Sequence, residues 1–439
     1  MSEVTISFNK TCGRIKPMHA VNNGPLKANP VEQTRGNFDD FKAAKIPYVR
    51  NHDASHCSAY GGEHTVDVHA IFPDFNKNPY EPDSYDFALT DEYLETIVEA
   101  GSKVYYRLGS KIEHWCKKYG TIVPPDFHKW AVVCEHILRH YTEGWANGFR
   151  YDIEYWEIWN EPDGVKANGD QPNWSGTPLE FYELFTETAI HLKSRFPHLK
   201  IGGPAVSWAE TPWLDGLLDY ITKDGRHVPM DFLGFHIYSE NPDIVGDRAE
   251  YIRKKLDSYG YTEAECHLNE FNYLLNFTTR YVESIEGIIS IRGAAFTAAA
   301  MSIGQASPLD MLMYYDARVN TVFNGMFDLY TLRPIKGYYP FLYFSTLYEL
   351  GNQAESHCDA QDVHVTAASD GDSCAAMLTY YPMEGDEIRQ VTVSTDKGGD
   401  YRVRLTDGSV TNEERIVTAV NGSLTFDLKP NSILLMERI

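Results

Sequence analysis

Two glutamates, Glu161 and Glu270, lie 109 residues apart in apolar surroundings, the first at the end of "YWEIWNE" (Tyr155–Glu161) and the second in "CHLNEF" (Cys266–Phe271). Burying a carboxylate among aromatic and branched side chains is costly unless it is paired or put to use. Two carboxyl groups in unlike surroundings suit the splitting of an acetal. One must hold a proton for the departing oxygen, and the other must be ionised to attack carbon or to activate water. Short apolar runs elsewhere in the chain end in further polar groups: Arg50 and His52, Asn160, His236 and Tyr238, and Tyr315 with Asp316. The useful question is which fold would bring all of these to one place.

The elements that must position them alternate between strand and helix. Strands are predicted at Ile15–Val21, Pro47–Asp53, Lys103–Gly109, Tyr155–Glu161, Lys200–Val206, Phe232–Tyr238, Cys266–Phe271 and Met311–Asp316. Helical periods lie between them, at Asn37–Ala44, Asp91–Ala100, Asp126–Thr142, Thr177–Arg195, Thr211–Lys223, Asp247–Tyr259 and Tyr281–Ile303. Thr177 reads as an N-cap, with Pro178 at the first helical position and Glu180 closing a capping box. Eight β–α steps over about 300 residues predict an α/β fold, a closed (β/α)8 TIM barrel. An open doubly wound sheet is the runner-up, but it would normally carry a Gly-rich phosphate loop, and no GxGxxG or GxxxxGK[ST] is present. In such a barrel the strand C-termini carry the active site, so the polar strand ends would form one ring.

After about residue 340 the texture changes to short alternating strands, with Asp407-Gly408 and Asn421-Gly422 as hairpin dipeptides. This predicts a small accessory antiparallel β-sandwich, to which the opening "EVTISFN" adds a strand. The expected division is residues 13–339 for the barrel and 1–12 plus 340–439 for the sandwich.

Alternation along Tyr155–Glu161 puts Glu157, Trp159 and Glu161 on one face. Pro162 ends the strand there and leaves Glu161 at the rim beside Asn160. Glu154, near the strand start, is peripheral. Glu157 reads as a buried structural charge, paired with Arg50 or another inward base. Structural readings stand beside the chemical ones: Asn-Glu-Pro alone is a weak motif, Arg50 could be an interior ion-pair residue, and His236 a hydrogen-bonded structural histidine. "HDASHC" (His52–Cys57) and "EHTVDVH" (Glu63–His69) have a metal-like flavour, yet neither supplies a complete ligand set, so no metal and no cofactor is expected.

Composition narrows the partners. A net charge of −23 on 439 residues repels nucleic acid and anionic membranes. No apolar run approaches the roughly 18 residues that span a bilayer, and the N-terminus has no apolar leader core. Seven cysteines without CxxC spacing argue against a disulfide framework, so a cytoplasmic protein is expected. Aromatics at 13% suit either core filling or a sugar-binding cleft. The oligomeric state stays open, a homo-oligomer included.

Several segments together resemble glycoside hydrolase family 39. "YWEIWNEPD" is similar to that family's acid/base motif and "LNEFNY" to its nucleophile motif. "VRNHD", "GGPA" and "FHIYS" resemble its second, fifth and sixth strands, and all occur in order across residues 15–320. The resemblance implies a retaining glycosidase with Glu161 as acid/base and Glu270 as nucleophile. By the same resemblance Asn160 would hold the sugar 2-hydroxyl, and Tyr238 and Arg50 would flank the nucleophile. His52 and His236 would contact the sugar. The family's Trp after the eighth strand is replaced by "MYYDAR", so Tyr314 or Tyr315 would serve in its place. The implied substrate is a short oligosaccharide or glycoside ending in a β-D-xylosyl or α-L-arabinosyl unit. A uronide or β-glucoside specificity within the family, a non-catalytic sugar-binding barrel and a metal-dependent barrel hydrolase are the alternatives.

Overall fold

A computed structural model describes residues 2–29, 31, 34–53, 64–166, 169–319 and 321–439. The chain opens with a long strand, β1 (Ser2–Arg14), that belongs to a second sheet described below. Eight parallel strands then build the first sheet: β2 (Ala20–Asn22), β3 (Tyr48–Arg50), β4 (Lys103–Leu108), β5 (Tyr155–Ile158), β6 (Lys200–Gly202), β7 (Phe232–Ser239), β8 (Glu265–Tyr273) and β9 (Met311–Tyr314). Their order is β6-β5-β4-β3-β2-β9-β8-β7. The ends meet just beyond β6, where Val206 bridges Phe235 and the His236 N–H donates to the Val206 carbonyl at 3.0 Å. The sheet is therefore a closed barrel, as the β–α repeat predicts.

The barrel interior is layered. Tyr105, Tyr155, Phe232, Met311 and Met313 fill its lower part. Above them lies a buried polar layer of Asn22, Arg50, Glu157 and Asn269. The C-terminal rim of the barrel begins there.

The surrounding helices are α1 (Phe38–Ala43), α2 (Val68–Ile71), α3 (Ala88–Glu99), α4 (Phe127–Thr142), α5 (Pro178–Arg195), α6 (Pro212–Thr222), α7 (Ile244–Ser258), α8 (Tyr281–Ile288), α9 (Ile291–Ala306) and α10 (Tyr339–Leu350). The capping box of α5 is present in full: the Glu180 N–H donates to Thr177 Oγ1 at 3.2 Å and the Thr177 N–H to Glu180 Oε2 at 2.7 Å. The helix expected at Tyr281–Ile303 is two helices bent by 75°. Ser290 caps the second one by accepting from the Arg292 N–H. Serine competes for backbone hydrogen bonds and favours such a break, which apolar periodicity alone does not reveal. The first barrel strand is also displaced, from Ile15–Val21 to Ala20–Asn22.

The second sheet has nine strands, in the order β15-β14-β17-β12-β11-β10-β1-β13-β16. Its remaining members are β10 (Asn352–Cys358), β11 (Val363–Ser369), β12 (Cys374–Tyr380), β13 (Arg389–Thr395), β14 (Gly399–Thr406), β15 (Glu413–Ala419), β16 (Ser423–Leu428) and β17 (Ser432–Arg438). β1 runs antiparallel to β10 and parallel to β13, so the N-terminus does add a strand. The sheet folds over its own core, which includes Val4, Ile6, Leu378, Val393, Phe426 and Leu434. Its two ends meet at the Val420–Ser423 bridge, where Asn421 and Gly422 take positive φ, as a tight Asn-Gly turn requires. The opposite face of β12 and β17 (Ala375, Met377, Ile433 and Leu435) joins the barrel core instead. Strands buried on both faces read as continuous apolar runs, which explains "CAAML" and "SILLM".

Candidate active site

Arg50 is the hub. It ends β3 with no solvent exposure, and its guanidinium reaches four side chains. Nε donates to Glu157 Oε2 at 2.7 Å, Nη1 to Asn22 Oδ1 at 3.0 Å and to Glu270 Oε1 at 2.7 Å, and Nη2 to Asn160 Oδ1 at 2.7 Å. A planar fork with five N–H groups suits this divided role, and a lysine could not fill it. Glu157 is the buried structural charge expected of it, held by Arg50 and by the Asn269 side-chain amide. Burial raises its carboxyl above the ordinary range, and Arg50 pulls it back.

Glu161 does not arrive by simple alternation. β5 ends at Ile158, and Trp159 and Glu161 both sit at positive φ (77° and 46°). Trp159 turns outward into the helix layer, against Trp130, Trp174 and Phe181, while Glu157 faces the lumen. The expectation that Glu157, Trp159 and Glu161 share a face is therefore corrected. Asn160 makes an isolated bridge to Ala205, and Glu161 follows it to the rim. Left-handed backbone at a non-glycine residue costs roughly 1 kcal/mol and gathers at functional sites.

Glu270 reaches the lumen by a different break. On β8 the pairing slips between Phe235↔Leu268 and His236↔Glu270, so Asn269 is an extra residue in the ladder. Adjacent residues of a regular strand face opposite ways. Here the bulge turns both Asn269 and Glu270 inward. The Asn269 side chain meets Glu157, and Glu270 Oε2 accepts from the Tyr238 hydroxyl at 2.9 Å.

The two carboxyl groups meet across His236. Its Nδ1 lies 2.7 Å from Glu161 Oε1 and 3.5 Å from Glu270 Oε2, and carboxylate oxygens of the pair approach within 4.8 Å. Their surroundings differ. Among the described residues Glu161 has no Arg or Lys in ion-pair contact; the Asn173 side-chain amide donates to its Oε2 at 3.0 Å. Burial lifts it to about 7, against smaller lowering effects of Arg50 and Asn173. Glu270 is also raised by burial, but the directly paired Arg50 acts to lower it. His236 itself is pushed down to about 4 by burial, so the imidazole between the acids is neutral at pH 7. Of the two glutamates, Glu161 is the one equipped to keep a proton.

The remaining expected residues gather on the same rim. His52 Nε2 lies 3.8 Å from Glu270 Oε1, and burial keeps this imidazole neutral. Among the described residues, His52 Nδ1 and His236 Nε2 have no hydrogen-bond partner. Tyr315 faces His52, Tyr238 and Phe323, and its hydroxyl donates to Asp53 Oδ2 at 3.1 Å. Tyr314 points the other way, into the packing around Phe271 and Phe341. Asp53 is ion-paired with Lys111 at 3.2 Å and Arg318 at 3.4 Å, and Arg318 also holds Asp316. Asn22, Asp53, Asn173, Asn269, Lys111 and Arg318 are parts of the site that sequence reasoning missed. Asn22 ends β2 and the others sit in loops or at a bulge, and none carries a spacing signal.

Of the metal-like segments, His56, Cys57 and Glu63 lie outside the described residues. His64 Nδ1 is 2.6 Å and His69 Nδ1 4.0 Å from Asp67 Oδ2. Asp67 is already neutralised by the buried Arg107 at 2.6 Å and also accepts from the Lys111 N–H, so this set offers a cation no net negative charge.

The model of the family described as glycosyl hydrolases family 39 matches residues 6–256. A β-xylosidase of Geobacillus stearothermophilus is 26% identical over 347 residues, which are 69% of this chain and 63% of that enzyme. A glucosidase from Croceicoccus marinus superposes with a TM-score of 0.82 at 21% identity, covering 100% of this chain and 98% of that one. A monomeric β-xylosidase from Caulobacter crescentus CB15 superposes at 0.70 with 15% identity, covering 100% and 99%. At those identities the structural likeness speaks for the fold.

Proposed function

The chain belongs to glycosyl hydrolase family 39, and from that premise we propose that it is a retaining glycosidase releasing terminal β-D-xylosyl or α-L-arabinosyl units from short oligosaccharides. The observation that carries the mechanism is the carboxylate pair: oxygens within 4.8 Å of each other, in unlike surroundings. Retaining enzymes hold their carboxyl groups about 5–5.5 Å apart, whereas inverting ones leave about 6.5–9.5 Å for a water.

The chemistry follows from the partners. Glu270, oriented by Arg50 and Tyr238, attacks the anomeric carbon, and the glycosidic C–O bond breaks as Glu161 gives its proton to the departing oxygen. The product is a glycosyl ester on Glu270. Glu161, now ionised, takes a proton from water, and that water's oxygen displaces Glu270 and restores both groups. Neutral His236 adds no charge that would hold Glu161 ionised during the first step. The unpartnered ring nitrogens of His52 and His236 are available to sugar hydroxyls, and Asn160, held by Arg50, to the 2-hydroxyl. No step requires a cofactor.

The pentosyl assignment draws on the Geobacillus β-xylosidase as a relative. A cytoplasmic setting is in keeping with free thiols at all six described cysteines. No single described helix is long and apolar enough to cross a bilayer. A screen of nitrophenyl glycosides, pentosides first with glucosides and uronides beside them, tests the reading. Turnover of β-xylosides or α-L-arabinosides supports it. Turnover of another glycoside alone would reassign the sugar, and silence throughout would favour a sugar-binding barrel.

A further inference from the structure

A general acid must stand beside the leaving oxygen, so the leaving group lies on the Glu161 side of the site. This rests on the assignment of Glu161 as the acid. The polypeptide on that side is stitched together. Asn173 contacts Glu161, Pro172 accepts from the Glu113 N–H at 2.9 Å, and Ser175 donates twice to the Thr121 carbonyl. The segment after β4 is thereby fixed against the acid. Glu113 makes it rigid: its carboxylate turns into the loop and accepts from the N–H groups of Tyr119, Gly120 and Thr121 and from the Thr121 hydroxyl.

This loop holds up an indole. Trp115 is 83% exposed and Tyr119 61%, and both line a cavity of about 830 Å³ together with Lys111, His114 and Lys117. Exposed tryptophan on a pinned loop is a platform for a flat ring face. The charge around it is unusual for a chain of net −23. Glu113 is the one acidic residue among the described residues lining the cavity, and it is committed to the loop backbone. Lys118 and Lys166 flank the loop and share Asp170. His114 is lowered first by burial and then by the surrounding lysines Lys166, Lys111 and Lys118, in keeping with a locally positive field.

We propose that this cavity is the leaving-group subsite and that it selects an aglycone bearing a carboxylate, stacked on Trp115, drawn by Lys117 and offered a hydrogen bond by His114. The acid could be carried by a uronic acid residue or by an aromatic acid, since both present a flat face and one negative charge. The same positive surroundings disfavour a metal ion at His64, Asp67 and His69.

Binding can be read without turnover. Methyl β-D-glucuronoside, methyl β-D-glucoside and 4-hydroxybenzoate are titrated into the protein and followed by ligand-observed NMR. At low salt one or both acids should bind about three- to fivefold tighter than the neutral glucoside. That preference should vanish in 0.5 M NaCl and in the double variant His114→Gln/Lys117→Gln, whose positions are exposed and whose change leaves the core untouched. Trp115→Ala should weaken all three ligands. Which acid is preferred identifies the source. The bound acid should also inhibit turnover of the best aryl glycoside competitively.

Equal affinities, or a preference that survives the double variant, would overturn the proposal, as would binding without inhibition. A silent glycoside screen, by contrast, refutes the glycosidase reading and leaves the binding result to be judged by itself.

Discussion

The side chains around Glu161 set how the rate should depend on pH. The first step needs the protonated acid, so activity holds below the folded pKa of about 7 and falls as pH rises through it. The Asn173 amide stabilises the ionised form. Asn173→Ala should therefore raise the Glu161 pKa and move the alkaline limb of kcat/KM to higher pH, and an unmoved limb would mean that Glu161 is not the group seen there. Glu157 shares Arg50 with Glu270, so Glu157→Gln should leave Glu270 as the one carboxylate against that guanidinium and shift the acid limb to lower pH. Loss of Glu161 itself, as Glu161→Ala, should cost about 10²–10⁴-fold on poor leaving groups and far less on activated aryl ones. At this scale the candidate site was readable where motifs lay in strands or just beyond their ends: Arg50, Glu161, His236 and Glu270 were all in view. Asn173 and Asp53 were not, because a loop residue reaches the site by tertiary folding and leaves no periodic trace.

Among the elements, two irregularities do the aiming. Left-handed residues after β5 deliver Glu161, and a bulge in β8 delivers Glu270. Alternation assigned Glu161 to the lumen, which is where it lies, but the path assumed for Trp159 was wrong. A pattern of period two cannot register a φ reversal or an inserted residue. Gly109, at φ 112°, makes room for the turned Trp159, and a Cβ there would lie 2.8 Å from the indole. Gly109→Ala should displace Trp159 and with it the rim, lowering kcat by about 10- to 100-fold with the circular dichroism spectrum retained. Helix ends were more legible, because capping chemistry is local. Thr177→Ala should cost about 1 kcal/mol in a denaturant titration and leave kcat unchanged.

The molecule as a whole joins its barrel to its second sheet through an apolar seam. Met377, Ile433 and Leu435 belong to the barrel core although their strands also face the sandwich core. Leu435→Ala should lower unfolding free energy by about 2–5 kcal/mol without altering kcat at 25 °C. A negligible loss would mean that the seam contributes little. The barrel could be read from its β–α repeat, whereas the strands of the sandwich are less legible one by one. Strand β15 in particular is exposed along most of its length and offers no clean alternation. Everything proposed for this site converges on the stereochemistry of the overall reaction. Proton NMR of the anomer formed first, recorded before mutarotation on whichever glycoside is turned over, reads it directly. The expected product keeps the anomeric configuration of the substrate. First appearance of the opposite anomer would mean that Glu270 activates water rather than attacking the sugar, and would contradict the double displacement assigned to Glu161 and Glu270.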